Sequence, residues 1–100
     1  MASGKERQRM ASHKISPEAE NDLYRIWLYG LEHWGLNAAD SYISDLFIRF
    51  QRIADNPLQF PDVEDIRTGY RRCALGKESI YFRCAYDAVE IMAVIGKQDY

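Results

Sequence analysis

The chain has 100 residues, of which 47% are hydrophobic, and its formal net charge at pH 7 is −2. A single domain of this length buries roughly 65% of its unfolded surface, which is enough for one hydrophobic core without metal or disulfide support. The small negative charge excludes a protein that binds nucleic acid mainly through bulk positive charge, and no apolar run approaches the roughly 20 residues that a membrane-spanning helix needs.

The N-terminal residues are polar and basic and show no apolar periodicity. They predict a flexible tail at residues 1–12, followed by a single domain at residues 13–100. The tail lacks the apolar core of a signal peptide, so we expect a cytoplasmic protein that has no contact with a membrane. The tripeptide His13-Lys14-Ile15 is long enough only for a short edge strand.

Two helices are predicted between residues 16 and 57. Ser16-Pro17 indicates the start of the first, because a serine hydroxyl caps the free amides and proline suits the first helical position. Gly35 predicts its end, since glycine adopts positive φ cheaply. Asn37 is the predicted N-cap of the second helix. Asn56-Pro57 ends that helix, because proline has no amide hydrogen and disfavours helical geometry in the preceding residue.

Each predicted helix has one apolar stripe. The stripe of the first comprises Ala19, Leu23, Ile26, Trp27, Gly30, Leu31 and Trp34, and that of the second comprises Ala39, Tyr42, Ile43, Leu46, Phe47, Phe50, Ile53 and Ala54. Trp27 and Trp34 are expected to anchor the core, while Glu18, Glu20 and Asp22 are expected on a solvated face. Neither stripe is stable in water, so the remaining chain should cover both.

The C-terminal part of the chain predicts a small antiparallel sheet. Leu58 to Thr68 indicates a crossing loop, and three runs rich in β-branched and aromatic residues follow it: Tyr70–Leu75, Ser79–Ala85 and Val89–Ile95. The short turns Gly76-Lys77 and Asp87-Ala88 separate them, which makes consecutive strands antiparallel neighbours. The fold class is therefore α+β, with an N-terminal helical hairpin packed on a small antiparallel β-sheet.

Two-residue turns would also decide which side chains share a face. Leu75 would oppose Glu78, and Phe82 would oppose Ala93. The helix-facing side would then comprise Cys73, Leu75, Ile80, Phe82, Cys84, Val89, Ile91, Ala93 and Ile95, with both cysteines reduced. The other side would comprise Tyr70, Arg72, Ala74, Ser79, Tyr81, Arg83, Glu90, Met92 and Val94. This mixture of apolar and charged residues is typical of a surface that a partner covers.

An ordered set of motifs between His13 and Asp99 resembles a known family. It comprises Ser16-Pro17, Ala19, Asp22-Leu23, Ile26-Trp27, Tyr29, Trp34-Gly35, Ala39, Tyr42, Leu46, Asn56-Pro57, Gly69-Tyr70-Arg71, Ile80-Tyr81-Phe82-Arg83, Ile91 and Val94-Ile95-Gly96. The set is similar to the ParE branch of the RelE/ParE toxin superfamily, whose members are the toxic halves of bacterial type II toxin–antitoxin pairs. The resemblance implies the same RelE/ParE-like fold.

The resemblance further implies a toxin that inhibits DNA gyrase by binding it, without being an enzyme and without a cofactor or metal. A cognate antitoxin would neutralise it in a hetero-oligomer by wrapping the toxin with a disordered or helical tail, and direct sequence-specific DNA binding is not expected. The candidate antitoxin-binding residues are Tyr24, Tyr29, Tyr70, Arg72, Tyr81, Arg83 and Met92, with Arg83 as an anchor for an acidic side chain. The candidate target-contacting residues are Lys97, Gln98, Asp99 and Tyr100.

Two alternatives remain at this point. One is a ribosome-dependent mRNA endonuclease of RelE type, for which Arg72, Arg83, Lys97 and Tyr100 offer the best catalytic cluster. The other is a toxin-fold protein that acts only as antitoxin partner or co-repressor. The chain also departs from many relatives, since Ala93 replaces an arginine and Ile95 is followed directly by Gly96 without an intervening histidine. Those departures concern the C-terminal end of the chain, where the target-contacting residues are expected.

Overall fold

A computed structural model describes residues 12–96 of the chain. Its elements are β1 (His13–Ile15), α1 (Pro17–Trp34), α2 (Leu36–Asp55), a 3₁₀ turn (Pro57–Gln59), β2 (Tyr70–Leu75), β3 (Glu78–Cys84) and β4 (Val89–Gly96). The helical hairpin packs on one face of the sheet, which confirms the predicted α+β class. The predicted tail, apart from Ser12, lies outside the described residues. No helix in the described range is long and apolar enough to span a bilayer.

The start of α1 follows the sequence signals. The Ser16 hydroxyl accepts a hydrogen bond from the Ala19 amide at 3.1 Å, and it donates one to the Met92 carbonyl at 3.1 Å. The N-cap therefore also joins the helix to β4. This double role explains why serine suits the position better than a cap that only accepts a hydrogen bond.

The connection between the two helices is shorter than predicted. Gly35, at φ +94°, ends α1 and its carbonyl accepts the first hydrogen bond of α2, from the Ala39 amide at 3.0 Å. The prediction that Asn37 caps α2 is wrong, because α2 begins at Leu36. A single glycine at positive φ reverses the chain within one residue, so no further loop is needed before the second helix. The predicted end of α2 at Asn56-Pro57 is confirmed.

The sheet has the strand order β1-β4-β3-β2. Strands β2, β3 and β4 are antiparallel neighbours as predicted, whereas β1 lies parallel to β4, with His13 opposite Val89 and Ile15 opposite Ile91. The four-stranded sheet is therefore mixed. The parallel pair joins segments 76 residues apart, and no local turn specifies such a pairing.

The two antiparallel hairpins differ in how well their register was predicted. Leu75 opposes Glu78 across the β2–β3 turn, as predicted. In the β3–β4 hairpin Phe82 opposes Ile91 rather than Ala93, because the loop has four residues, 85–88, closed by a 2.8 Å hydrogen bond from the Ala85 amide to the Ala88 carbonyl. A β-bulge then leaves Met92 without an opposite residue on β3.

The bulge exchanges the faces of the last residues of β4. Val94, predicted on the outward face, is only 1% exposed, whereas Ile95, predicted toward the helices, is 39% exposed. Ala93 is half-buried opposite Tyr81. One extra residue reverses the alternation of every side chain that follows it, which is the physical reason for all three changes.

The core lies between the hairpin and the sheet. Its fully buried side chains are Phe50, Phe82, Leu46, Ile53, Ile80, Ile91 and Val94. Two stripe residues are exposed, Trp34 at 48% and Phe47 at 40%. Cys73 is buried as predicted, whereas Cys84 is exposed, and both thiols are free.

Asp22 was predicted on the solvated face of α1, and this prediction is wrong. The residue is buried, its Oδ2 accepts the Val94 amide hydrogen at 2.9 Å, and its Oδ1 accepts from Arg25. Strand β1 covers β4 only as far as Ile91, so the next free amide on that edge has no strand partner. The aspartate carboxylate replaces that partner, because a buried amide without an acceptor is costly.

Candidate partner-binding surfaces

The outward face of the sheet carries a row of side chains that crosses all four strands. Tyr70 is opposite Arg83, Arg83 is opposite Glu90, and Glu90 is opposite Lys14. The Arg83 Nε donates to the Glu90 Oε1 at 2.7 Å, with side-chain exposures of 50% and 28%. Such a solvent-exposed pair contributes at most about 1 kcal/mol, so the arginine can exchange this partner for another carboxylate at small cost.

A second row lies beside the first. Arg72 is exposed opposite the half-buried Tyr81, which is opposite Ala93, and the half-buried bulge residue Met92 precedes Ala93. The structure thus brings five of the seven candidate antitoxin-binding residues together. We call this the outer sheet surface, formed by Tyr70, Arg72, Tyr81, Arg83 and Met92. The Arg67 guanidinium, from the loop before β2, lies 5.6 Å from the centre of the Tyr70 ring and partly covers this surface.

The other two candidates, Tyr24 and Tyr29, lie on α1 and therefore on the opposite side of the sheet. Tyr24 is 60% exposed and stacks on Trp27, with ring centroids 6.2 Å apart. Tyr29 stacks on His33 at 3.9 Å and meets Trp34 edge to face at 5.9 Å. We call the exposed aromatic side chains of Tyr24, Tyr29 and Trp34 the hairpin aromatic patch.

Trp34 was missed as a surface residue because its spacing matches the core stripe of α1. Its position immediately before Gly35, at the end of the helix, was the available signal, since side chains there can extend past the packed layer. Trp27 is likewise not a simple core anchor. It is half-buried, and its indole nitrogen donates to the Asp40 carboxylate of α2 at 2.8 Å.

A cavity of about 300 Å³ opens beside the hairpin aromatic patch, between the hairpin and the ends of β3 and β4. We call it the hairpin pocket; its wall includes Tyr29, Trp34, Tyr42, Glu78 and Val94. The Tyr42 hydroxyl donates a hydrogen bond to the Glu78 carboxylate, which is only 3% exposed. Burial, together with this bond and the glutamate charge, raises the pKa of Tyr42 well above its usual value of 10.

Sequence reasoning did not single out Tyr42 and Glu78 as a pair. They lie 36 residues apart, and Glu78 directly follows the β2–β3 turn, where a glutamate is ordinarily solvated. Only the packing of α2 against the start of β3 brings the hydroxyl to the carboxylate. The pair therefore belongs to the class of features that sequence periodicity cannot reveal.

The described residues offer no evident chemistry for catalysis. Burial raises the pKa of the Cys73 thiol, although the charge of Arg49 opposes this, so the thiol stays protonated and is a poor nucleophile. No group of three or more potential metal-ligating side chains is found in the described range. The four candidate target-contacting residues, Lys97, Gln98, Asp99 and Tyr100, lie outside it.

A family model described as the ParE toxin of the type II toxin–antitoxin system, parDE, matches residues 14–99. The chain belongs to the ParE toxin family. Toxin ParE1 of Caulobacter vibrioides is 35% identical over 86 residues, which cover 86% of this chain and 88% of the relative. Toxin ParE1 of Mycobacterium tuberculosis is 32% identical over 69 residues, which cover 69% of this chain and 70% of the relative.

A solved structure described as a chromosomal ParDE toxin–antitoxin system from P. aeruginosa has the same fold. It aligns with a TM-score of 0.76 at 20% sequence identity, covering 88% of this chain and 97% of that one. The resemblance inferred from the sequence motifs is thus confirmed for both family and fold. Membership of the ParE family agrees with the expectation of a toxin that is not an enzyme.

Proposed function

We propose that this ParE-family chain arrests growth by binding and inhibiting DNA gyrase, and that a cognate antitoxin neutralises it by wrapping around the chain. The proposal rests on membership of a family of type II toxin–antitoxin toxins. The observation that supports the antitoxin part is the outer sheet surface, where two arginines are exposed beside two tyrosines and a methionine that are half-buried. Arginine and aromatic residues are the side chains most enriched in the centres of protein interfaces.

The antitoxin contacts fall into two groups under this proposal. The outer sheet surface provides Arg72 and Arg83 for acidic side chains, while Tyr24 and Tyr29 of the hairpin aromatic patch provide apolar area. The two surfaces lie on opposite sides of the molecule. A partner that contacts both has to pass around an edge of the domain, which suits an extended or partly disordered tail better than a globular domain.

The antitoxin interface is tested by alanine substitution of Tyr81, Arg83 and Met92. Each change should weaken the complex by about 1–2 kcal/mol, which is typical of interface anchors, and calorimetric titration measures the affinity. Ser44→Ala, at an exposed position of α2 that belongs to neither surface, is the matched control. Wild-type affinity in all three variants would place the antitoxin on the helical side instead. Tyr24→Ala and Tyr29→Ala would then be the changes that weaken the complex.

The gyrase part is tested with the purified full-length chain in a DNA supercoiling assay. Inhibition of supercoiling is expected, and the antitoxin should reverse it. A chain that ends at Gly96 lacks the four candidate target-contacting residues, Lys97 to Tyr100, and should lose inhibition while its antitoxin affinity is unchanged. Normal supercoiling at excess full-length chain would rule out gyrase. Harmless expression without the antitoxin would favour a protein that only partners the antitoxin.

A further inference from the structure

The hairpin pocket combines a buried carboxylate with aromatic walls. Glu78 is 3% exposed at its base, and the rings of Tyr29, Trp34 and Tyr42 line its sides. Trp34 and Tyr42 meet edge to face at 5.7 Å, so the two rings hold each other at an angle. A volume of about 300 Å³ lies at the lower end of the range for ligand sites and suits one side chain rather than a large cofactor.

The carboxylate at the base is incompletely satisfied by its own chain. An ionised glutamate offers two oxygens and about four acceptor positions. Within residues 12–96 one hydrogen bond reaches this group, from the Tyr42 hydroxyl to Oε1. Because a buried carboxylate is costly unless several donors surround it, a ligand that brings further donors gains free energy from this position.

Two cationic side chains, Arg25 and Lys77, also line the pocket, and neither is paired with Glu78. Arg25 is engaged by Asp22, whose other oxygen accepts the Val94 amide. Lys77 lies exposed in the β2–β3 turn, and no ion pair joins it to Glu78. An exposed lysine charge is largely screened by solvent, so it opposes an incoming cation far less than the buried carboxylate attracts one.

We propose that the hairpin pocket binds an arginine side chain of the antitoxin, with its guanidinium against Glu78 and beside the ring of Trp34. Guanidinium is planar, presents paired donors that match a carboxylate, and stacks favourably on aromatic faces. Lysine offers a point charge and no stacking plane, so it fits less well. The antitoxin is the occupant because Tyr29 belongs to both this pocket and the hairpin aromatic patch. In this respect the inference rests on the proposed function.

The pocket itself is tested with N-acetyl-L-arginine amide as the probe. Gly96, at the end of β4, also lines the pocket. Titration into the full-length chain should shift the Trp34 indole and Gly96 amide NMR signals saturably, and Glu78→Gln should weaken this binding at least tenfold. Glu90→Gln, which changes a carboxylate on the outward face, is the matched control and should bind as wild type. The absence of saturable shifts, or equally strong binding of N-acetyl-L-norleucine amide, would overturn the proposal.

Glu78→Gln also changes the hydrogen bond with Tyr42, so a second variant keeps the test decisive. Trp34 is 48% exposed, and Trp34→Ala removes one wall of the pocket without opening the core. Followed at the Gly96 amide, its binding of the arginine probe should be weakened several-fold. Wild-type binding by this folded variant would show that stacking plays no part and would contradict the proposed geometry.

The identity of the bound arginine is tested on the intact, purified toxin–antitoxin complex. The probe should produce no shifts at Gly96 in the complex, because the antitoxin arginine already fills the pocket. Equal binding to the free chain and to the complex would overturn the antitoxin as occupant. These outcomes are separable from the proposed function, since a failure to inhibit gyrase supercoiling leaves the titrations unchanged.

Discussion

The two faces of the sheet differ most clearly at two adjacent residues of β3. Phe82 is fully buried against the hairpin and meets Phe60 edge to face at 5.8 Å, whereas Tyr81 is half-buried on the outer sheet surface. The inner face is covered by helices that belong to the same chain. The outer face carries the exposed Arg72 and Arg83 beside the half-buried Tyr81 and Met92. The comparison shows that an apolar side chain in this sheet does not by itself indicate the folding core.

The inner face is not purely apolar. Asp22 and Glu78 both reach it: Asp22 accepts hydrogen bonds from the Val94 amide and from Arg25, and Glu78 accepts one from the Tyr42 hydroxyl. On the outer face the charged pair Arg83–Glu90 is exposed to solvent. Polar contacts therefore have different roles on the two faces. The buried contacts specify how the helices dock on the sheet, whereas the exposed side chains can exchange their partners.

The sharpest test of this contrast truncates the two neighbouring rings. Phe82→Ala should lower the free energy of unfolding by about 3–5 kcal/mol, because it leaves a cavity in the packed layer. Tyr81→Ala should lower it by less than about 1.5 kcal/mol, since solvent can fill the vacated space. Urea denaturation followed by circular dichroism measures both. Equal losses would mean that the outer face is as tightly packed as the inner one.

The next largest effect is expected at Asp22. Asp22→Ala removes the acceptor of the buried Val94 amide and should lower the free energy of unfolding by about 1.5–3 kcal/mol. Asp22→Asn keeps an acceptor oxygen and should lose less than the alanine variant. Glu18→Ala, on the exposed first turn of the same helix, is the control. If the alanine and asparagine variants were equally stable, the hydrogen bond to β4 would not be the reason for the burial of Asp22.

Tyr42→Phe should lower the free energy of unfolding by about 1–3 kcal/mol at pH 7, because it removes the donor to the buried Glu78. The pKa of Tyr42 is raised in the folded state, so its stabilisation is complete below pH 10 and declines as the pH rises above 10, where the unfolded chain ionises first. The difference between wild type and Tyr42→Phe should therefore shrink between pH 9 and pH 11. Urea titrations across that range measure it, and a difference that grows would contradict the assignment.

The smallest effect is expected at the exposed pair. Arg83→Ala should lower the free energy of unfolding by less than about 1 kcal/mol, and added salt should reduce the loss further. The same change is expected to weaken the antitoxin complex by more than it destabilises the fold. A stability loss above about 2 kcal/mol would show that Arg83 supports the domain rather than a partner.

Local chemistry accounts for the parts of the fold that were predicted correctly. Ser16-Pro17, Gly35 and Asn56-Pro57 set helix ends through capping hydroxyls, positive φ and a missing amide hydrogen, all of which act within a few residues. The two-residue turn at Gly76-Lys77 likewise determined the β2–β3 register. The motif set between His13 and Asp99 was sufficient to identify the toxin family.

The features that the sequence alone could not determine depend on contacts between distant segments. The parallel pairing of β1 with β4 and the burial of Asp22 and Glu78 each require elements that lie far apart along the chain, whereas the bulge at Met92 arises within one hairpin and has no turn signal of its own. The unpaired backbone amides at a strand edge can donate to a neighbouring strand or to a carboxylate, or a bulge can turn them away from the edge. The periodicity of the sequence does not distinguish among these arrangements. Only the docking of α1 along β4 selects the carboxylate, because that arrangement alone gives the Val94 amide an acceptor.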